Sequence, residues 1–145
     1  MSAHDGRLLI IFYDEVPTTE AVSLALLDHT GISFAAFAKR DDHSEKAAMW
    51  TRDPLGFLPS GRLAIDADRE TIDALLTSPL ATNLGGVAYL CEGITPLMPQ
   101  LNVGKRFSGT LQLCCFRRRA DINAVQLQQY WLEEHTGVAL STQNT

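Results

Sequence analysis

The chain has 145 residues, 46% of them hydrophobic and 20% charged, the composition of a folded protein of one ordinary domain or a small domain plus part of another. A net charge of −5 argues against a general nucleic-acid binder, because neutralising phosphates needs a basic face. No apolar run approaches the ~18 residues of a membrane span, and MSAHDGRLLIIF lacks the basic region and small-residue cleavage site of a secretory signal, so no membrane association is expected and the cytoplasm is the expected compartment.

Arg7 to Val16 is a strongly apolar run of strand length that Pro17 closes. Thr18 or Thr19 can then cap a helix whose Val22, Ala25, Leu26 and His29 share one side, with Gly31 as its C-cap. Ile32 to Ala38 reads as a second strand. The stretch from Lys39 to Ser60 mixes charge, Pro and Gly with Trp50, Phe57 and Leu58. It is expected to hold a short helix around Ser44 to Trp50 or to act as a lid over a pocket, the alternative being a surface excursion whose large side chains tuck onto the core.

Gly61 to Ala67 alternates as a third strand, and Asp68 caps a helix with Ile72, Leu75 and Leu76 facing inward and Pro79 at its end. Gly85 to Glu92 is a fourth strand. The order strand, helix, strand, strand, helix, strand is that of a ferredoxin-like module, so the expected fold class is α+β: an antiparallel sheet covered by helices on one face. The expected division is a first module over residues 1–98, a linker over 99–109 in a Pro- and Gly-rich aperiodic stretch, and the β-α start of a second module over 110–145. Asp28-His29-Thr30-Gly31 and Glu134-His135-Thr136-Gly137 match as an internal repeat, which favours the second module. Where the chain stops at Thr145, that module is expected to be incomplete and to need its own first module or another chain to cover it, so a homodimer is expected.

Thr110 to Gly137 carries the most specific pattern. A strand with Leu111, Leu113 and Cys115 on one face runs into Arg117, Arg118 and Arg119. Asp121 is a candidate N-cap, and Ala124, Leu127, Trp131, His135 and Val138 then recur at helical spacing. His135 is the titratable group on that stripe. Its imidazole suits acid-base work near neutral pH, and its alternative is a core histidine bonded to a carbonyl or to Glu134. Tyr130 and Trp131 either stack on a planar ligand or belong to the core. Arg117 stands where an anionic ligand could be held, or else solvates a strand end. His29 is the counterpart of His135 in the first module, as a ligand contact or a structural histidine. The three cysteines, with Cys114 and Cys115 adjacent, give neither a disulfide framework nor metal-ligand spacing, and no phosphate-binding, dinucleotide, zinc-protease or nucleophile-elbow signature occurs, so no metal or cofactor is expected.

Leu127-x-x-Tyr130-Trp131-x-x-x-His135, after a strand ending in basic residues, resembles the signature helix of the EthD family, within the dimeric α+β barrel superfamily of ferredoxin-like modules. Members more often carry Phe in place of Leu127 and Ser or Thr in place of Asp121. The resemblance implies a cofactor-free dehydratase, cyclase or oxidoreductase-associated activity on a small apolar or aromatic substrate in a sheet-helix pocket. It makes His135 the catalytic group, with Tyr130, Trp131, Arg117 and His29 as substrate contacts. The alternative it leaves is a non-catalytic dimerisation or ligand-binding module of the same superfamily.

Overall fold

Alternation along Gly6–Phe12 (β1) puts Leu8, Ile10 and Phe12 on one face and Arg7, Leu9 and Ile11 on the other, and the rest of the sheet is assembled around that strand. The computed structural model describes residues 6–41, 59–91, 105 and 118–142, within a chain that divides into two units, Met1–Ile94 and Thr95–Thr145. In the first unit, β1 pairs antiparallel with both Gly61–Ala67 (β3) and Val87–Cys91 (β4), and Ile32–Lys39 (β2) pairs antiparallel with β3. The result is a four-stranded antiparallel open sheet in the order β2-β3-β1-β4. Two helices, Thr19–Leu26 (α1) and Arg69–Thr77 (α2), and the single turn Leu80–Asn83 (α3) accompany it. This is an α+β architecture, compatible with a ferredoxin-like arrangement.

Residues directly opposite one another across a ladder share a face. Leu8 stands opposite Ile65, and Ile10 opposite Leu63, so these four lie on one side. There they form a buried cluster with Phe12, Val22 of α1, Ile72 and Leu75 of α2, and Leu80 of α3. Phe37 of β2 meets Phe12 edge-on, ring centroids 6.2 Å apart at 80°. The helices are therefore held by one face of the sheet.

Thr18 caps α1, its hydroxyl accepting from the Ala21 N–H at 3.1 Å. The helix ends at Leu26 with Leu27 as its C-cap, short of the expected Gly31. Gly31 serves a tertiary contact instead: its carbonyl accepts from the Asp68 N–H at 3.3 Å, and a Cβ there would collide with the Asp68 carboxylate and the Thr71 hydroxyl. β1 ends at Phe12 rather than Val16, because Ser60 takes the next carbonyls, its N–H donating to Phe12 at 2.6 Å and its hydroxyl to Tyr13 at 2.8 Å. β4 is shorter than expected for a similar reason. Gly85 adopts φ +77°, and the N–H groups of Gly85 and Gly86 donate to carbonyls of Thr82 and Ala81 in α3 instead of joining the ladder. A Cβ on Gly86 would press on Ile10 and Phe12 at 2.5–2.9 Å, so the chain enters β4 against the core. In α2, Ile72 and Leu75 are buried, but Leu76 points outward at 39% exposure.

The second unit contains a helix from Ala124–Tyr130 (α4), a π-helical turn Trp131–His135 and a final segment Thr136–Thr142 (α5). Its N-cap is Asn123, not Asp121. Asn123 and Gln126 form a reciprocal capping box at 2.8 and 2.9 Å, while the Asp121 carboxylate is engaged by Arg119 at 2.9 and 2.5 Å. The widened turn follows from Thr136, whose hydroxyl and N–H both donate to the Trp131 carbonyl five residues back. The 42–58 stretch with Trp50, Phe57 and Leu58, the 99–109 linker apart from Lys105, and the strand with Cys114, Cys115 and Arg117 lie outside the described residues. Among the described residues no helix is long and apolar enough to cross a membrane.

Asp68 makes a pH-dependent contribution. The Thr71 N–H, at 2.7 Å, and then the Thr71 hydroxyl hold its carboxyl below the usual carboxylate range. A depressed folded-state pKa adds stability that is present above the unfolded value of about 3.9 and is lost as pH falls through the folded value. Asp68→Ala is expected to lower the unfolding temperature at pH 7, with the deficit against wild type shrinking as pH falls below about 4 in paired thermal scans. A deficit unchanged across that range would show that the charge contributes nothing.

Candidate functional site

On the face of the sheet away from the helix-packed cluster, the register aligns Arg7, Leu9 and Ile11 of β1 with Asp66, Ala64 and Arg62 of β3 and with Cys91, Tyr89 and Val87 of β4. Phe34, Ala36 and Ala38 of β2 extend the same rows beyond β3. Most of this surface is apolar, yet it carries an acid and two bases. Asp66, 3% exposed, accepts from Arg7 Nε at 2.6 Å and Nη2 at 2.7 Å in a bidentate pair. Hydrogen bonding to Asp66 raises the pKa of the Arg7 guanidinium, against the opposing effect of burial.

The β2 strand bulges between Ile32 and Phe34, beside this pair. The Ser33 hydroxyl donates to the Asp66 carbonyl at 3.1 Å. The bulge lets Ile32 reach the helix-side core while Phe34 sits opposite Asp66 on the other face.

Arg62 is the less comfortable base. Its Nε is buried and has no hydrogen-bond partner among the described residues. Burial, and secondarily the like charge of Arg7, lowers its pKa from the ordinary value. Beside it Ile11 is 2% and Ala64 6% exposed, whereas Val87 and Tyr89 on the edge strand are 48% and 44% exposed. The Tyr89 hydroxyl lies 3.3 Å from that of Tyr13, and burial pushes up the pKa of the Cys91 thiol, opposed by the Arg7 charge. This end of the face therefore brings together two phenols, the half-exposed Val87 and a cation.

Of the sequence-derived candidates, Trp131 and His135 are brought together. Their rings stack at 3.9 Å and 11°, with His135 exposed. Tyr130, 54% exposed, borders an open depression with Gln126, Gln129, Glu133 and Glu134. Gln129 donates to the Glu133 carboxylate at 3.2 and 3.3 Å along that rim. His29, half-buried in the first unit, follows α1 and donates its N–H to the Leu26 carbonyl at 3.1 Å. Arg117 lies outside the described residues; next to it, Arg118 donates to the Ile122 carbonyl. Among the described residues no group of three or more His, Cys, Asp or Glu side chains could hold a metal ion.

From the sequence, Arg7 and Arg62 are not singled out, and Asp66 is considered with Asp68 only to find that they form no acid pair with a second motif. The partners Arg7 and Asp66 are 59 residues apart. A usable signal was present in β1, where Leu8, Leu9, Ile10 and Ile11 are apolar on both faces, so a charge on the same strand needs a partner. Compared with protein-family models, curated proteins and solved structures, the chain matches none of them.

Proposed function

We propose that the chain is an EthD-like protein of the dimeric α+β barrel type: a ferredoxin-like module followed by the β-α start of a second. In this reading it works as a homodimer that holds a small apolar or aromatic molecule against the face of the sheet away from the helices. The observation that carries the proposal is the difference between the two faces. The helix-side face carries the buried cluster, while the other joins Arg7, Arg62 and Asp66 to Val87 and Tyr89, which are about half exposed on the strand that ends the sheet among the described residues. Exposed apolar positions beside strand-edge backbone that is unpaired among the described residues favour association with a second chain.

Multi-angle light scattering on a sizing column is expected to give twice the chain mass, and Val87→Asp is expected to shift the population towards monomer without loss of the circular-dichroism signal of the fold. A wild-type chain that stays monomeric across a hundredfold concentration range contradicts the dimer.

A second reading, chemistry at His135, is favoured by one observation, the Trp131–His135 stack at a π-helical turn. Such turns recur at functional sites. Exposure of His135 on its own helix makes binding the stronger reading of the two. If His135 is the acid-base group, His135→Ala lowers kcat by about a hundredfold or more on any substrate identified, as loss of a positioned proton donor requires. Unchanged turnover removes the catalytic role.

A further inference from the structure

We infer that Arg62, with the half-exposed Val87 and Tyr89 on the same face, forms a subsite for a carboxylate monoanion carrying an apolar body. This deepens the ligand-binding reading above and rests on it. The register places two guanidinium groups and the Asp66 carboxylate on this face, and both Asp66 oxygens are engaged by Arg7. One positive charge is left over among apolar neighbours, at an arginine whose Nε is buried and unpartnered among the described residues. A half-desolvated cation without a counter-ion is costly, and an arriving anion relieves that cost.

The chemistry selects the kind of anion. A guanidinium presents paired N–H donors that match the two oxygens of a carboxylate. One surplus charge matches a monoanion, whereas a phosphate dianion would leave an excess negative charge beside Ile11, Ala64 and Val87. The half-exposed strip of Val87 and Tyr89 then receives the hydrocarbon or aromatic portion. Lowering of the Arg62 pKa by burial and by Arg7 agrees with a cation that lacks compensation in the unliganded chain.

The test uses the full chain with benzoate as probe, benzamide as its neutral counterpart and inorganic phosphate as the dianion, read by thermal unfolding and calorimetric titration. Benzoate is expected to raise Tm with dose, and benzamide and phosphate to do so far less. Arg62→Met is expected to weaken benzoate binding by about tenfold or more, the loss that accompanies removal of a charge-assisted hydrogen bond, while its unliganded Tm equals or exceeds that of wild type. Arg62→Lys should keep the charge and part of the affinity. No response to benzoate up to its solubility overturns the subsite, as does unaltered benzoate affinity in Arg62→Met. An equal response to phosphate overturns the carboxylate assignment. A lower unliganded Tm in both variants identifies Arg62 as a satisfied structural residue and overturns the premise. Molar mass measured on the same samples separates this from the dimer: a dimer indifferent to benzoate removes the subsite alone, and a monomer that binds benzoate through Arg62 removes the dimer alone.

Discussion

Arg7 and Asp66 stand opposite each other on the two inner strands and specify how the sheet is assembled. The side-chain period of a strand is two, so a one-residue slip of β1 against β3 would turn Arg7 into the helix-side cluster and Leu8 out of it. The buried carboxylate makes that slip expensive from the other strand as well. The β2 bulge lies in the same row, which lets Ile32 serve the core while Phe34 serves the opposite face. The pair, the bulge and the alternation together produce a sheet whose two faces differ in chemistry.

That difference connects packing to the proposed function. Leu8, Ile10 and Phe12 hold the helices through Val22, Ile72 and Leu75 in one buried cluster. The face with Arg62, Val87 and Tyr89 combines a buried, unpartnered Arg62 Nε among the described residues with two half-exposed side chains, the feature on which the proposed binding rests. In the second unit the same tension between local and long-range demands shows in one helix. Thr136 draws two donors onto the Trp131 carbonyl, the turn widens, and Trp131 stacks on His135 while Tyr130 remains exposed.

What could be read from the sequence was mostly local chemistry. Thr18 and Asp68 were recognisable caps because a hydroxyl or carboxylate before an apolar helical pattern satisfies the free N–H groups of the first turn. The β3 strand, Gly61–Ala67, was recognisable from its alternation and its flanking turn residues. Features set by distant contacts were not. Gly31 looks like a helix end but is required by Asp68 and Thr71, and β1 stops where Ser60 intervenes. Asp121 had the right chemistry for a cap, yet Arg119 occupies it and the Asn123–Gln126 box wins. The candidate site on the sheet escaped notice because its charges come from separate strands and make no motif, whereas the Trp131–His135 pair was visible as a spacing of four on one helix.

The measurement that bears most directly on this account is a double-mutant cycle on Arg7 and Asp66, read by urea unfolding of the full chain. Asp66→Ala is expected to cost about 3 kcal/mol, the lower end for a broken buried pair because the Arg7 side chain keeps 26% exposure. The double replacement Arg7→Met with Asp66→Ala is expected to cost less than the sum of the singles by at least about 1 kcal/mol. Additive costs, or single replacements that each cost less than about 0.5 kcal/mol, would show that the pair does not set the sheet and would contradict the account.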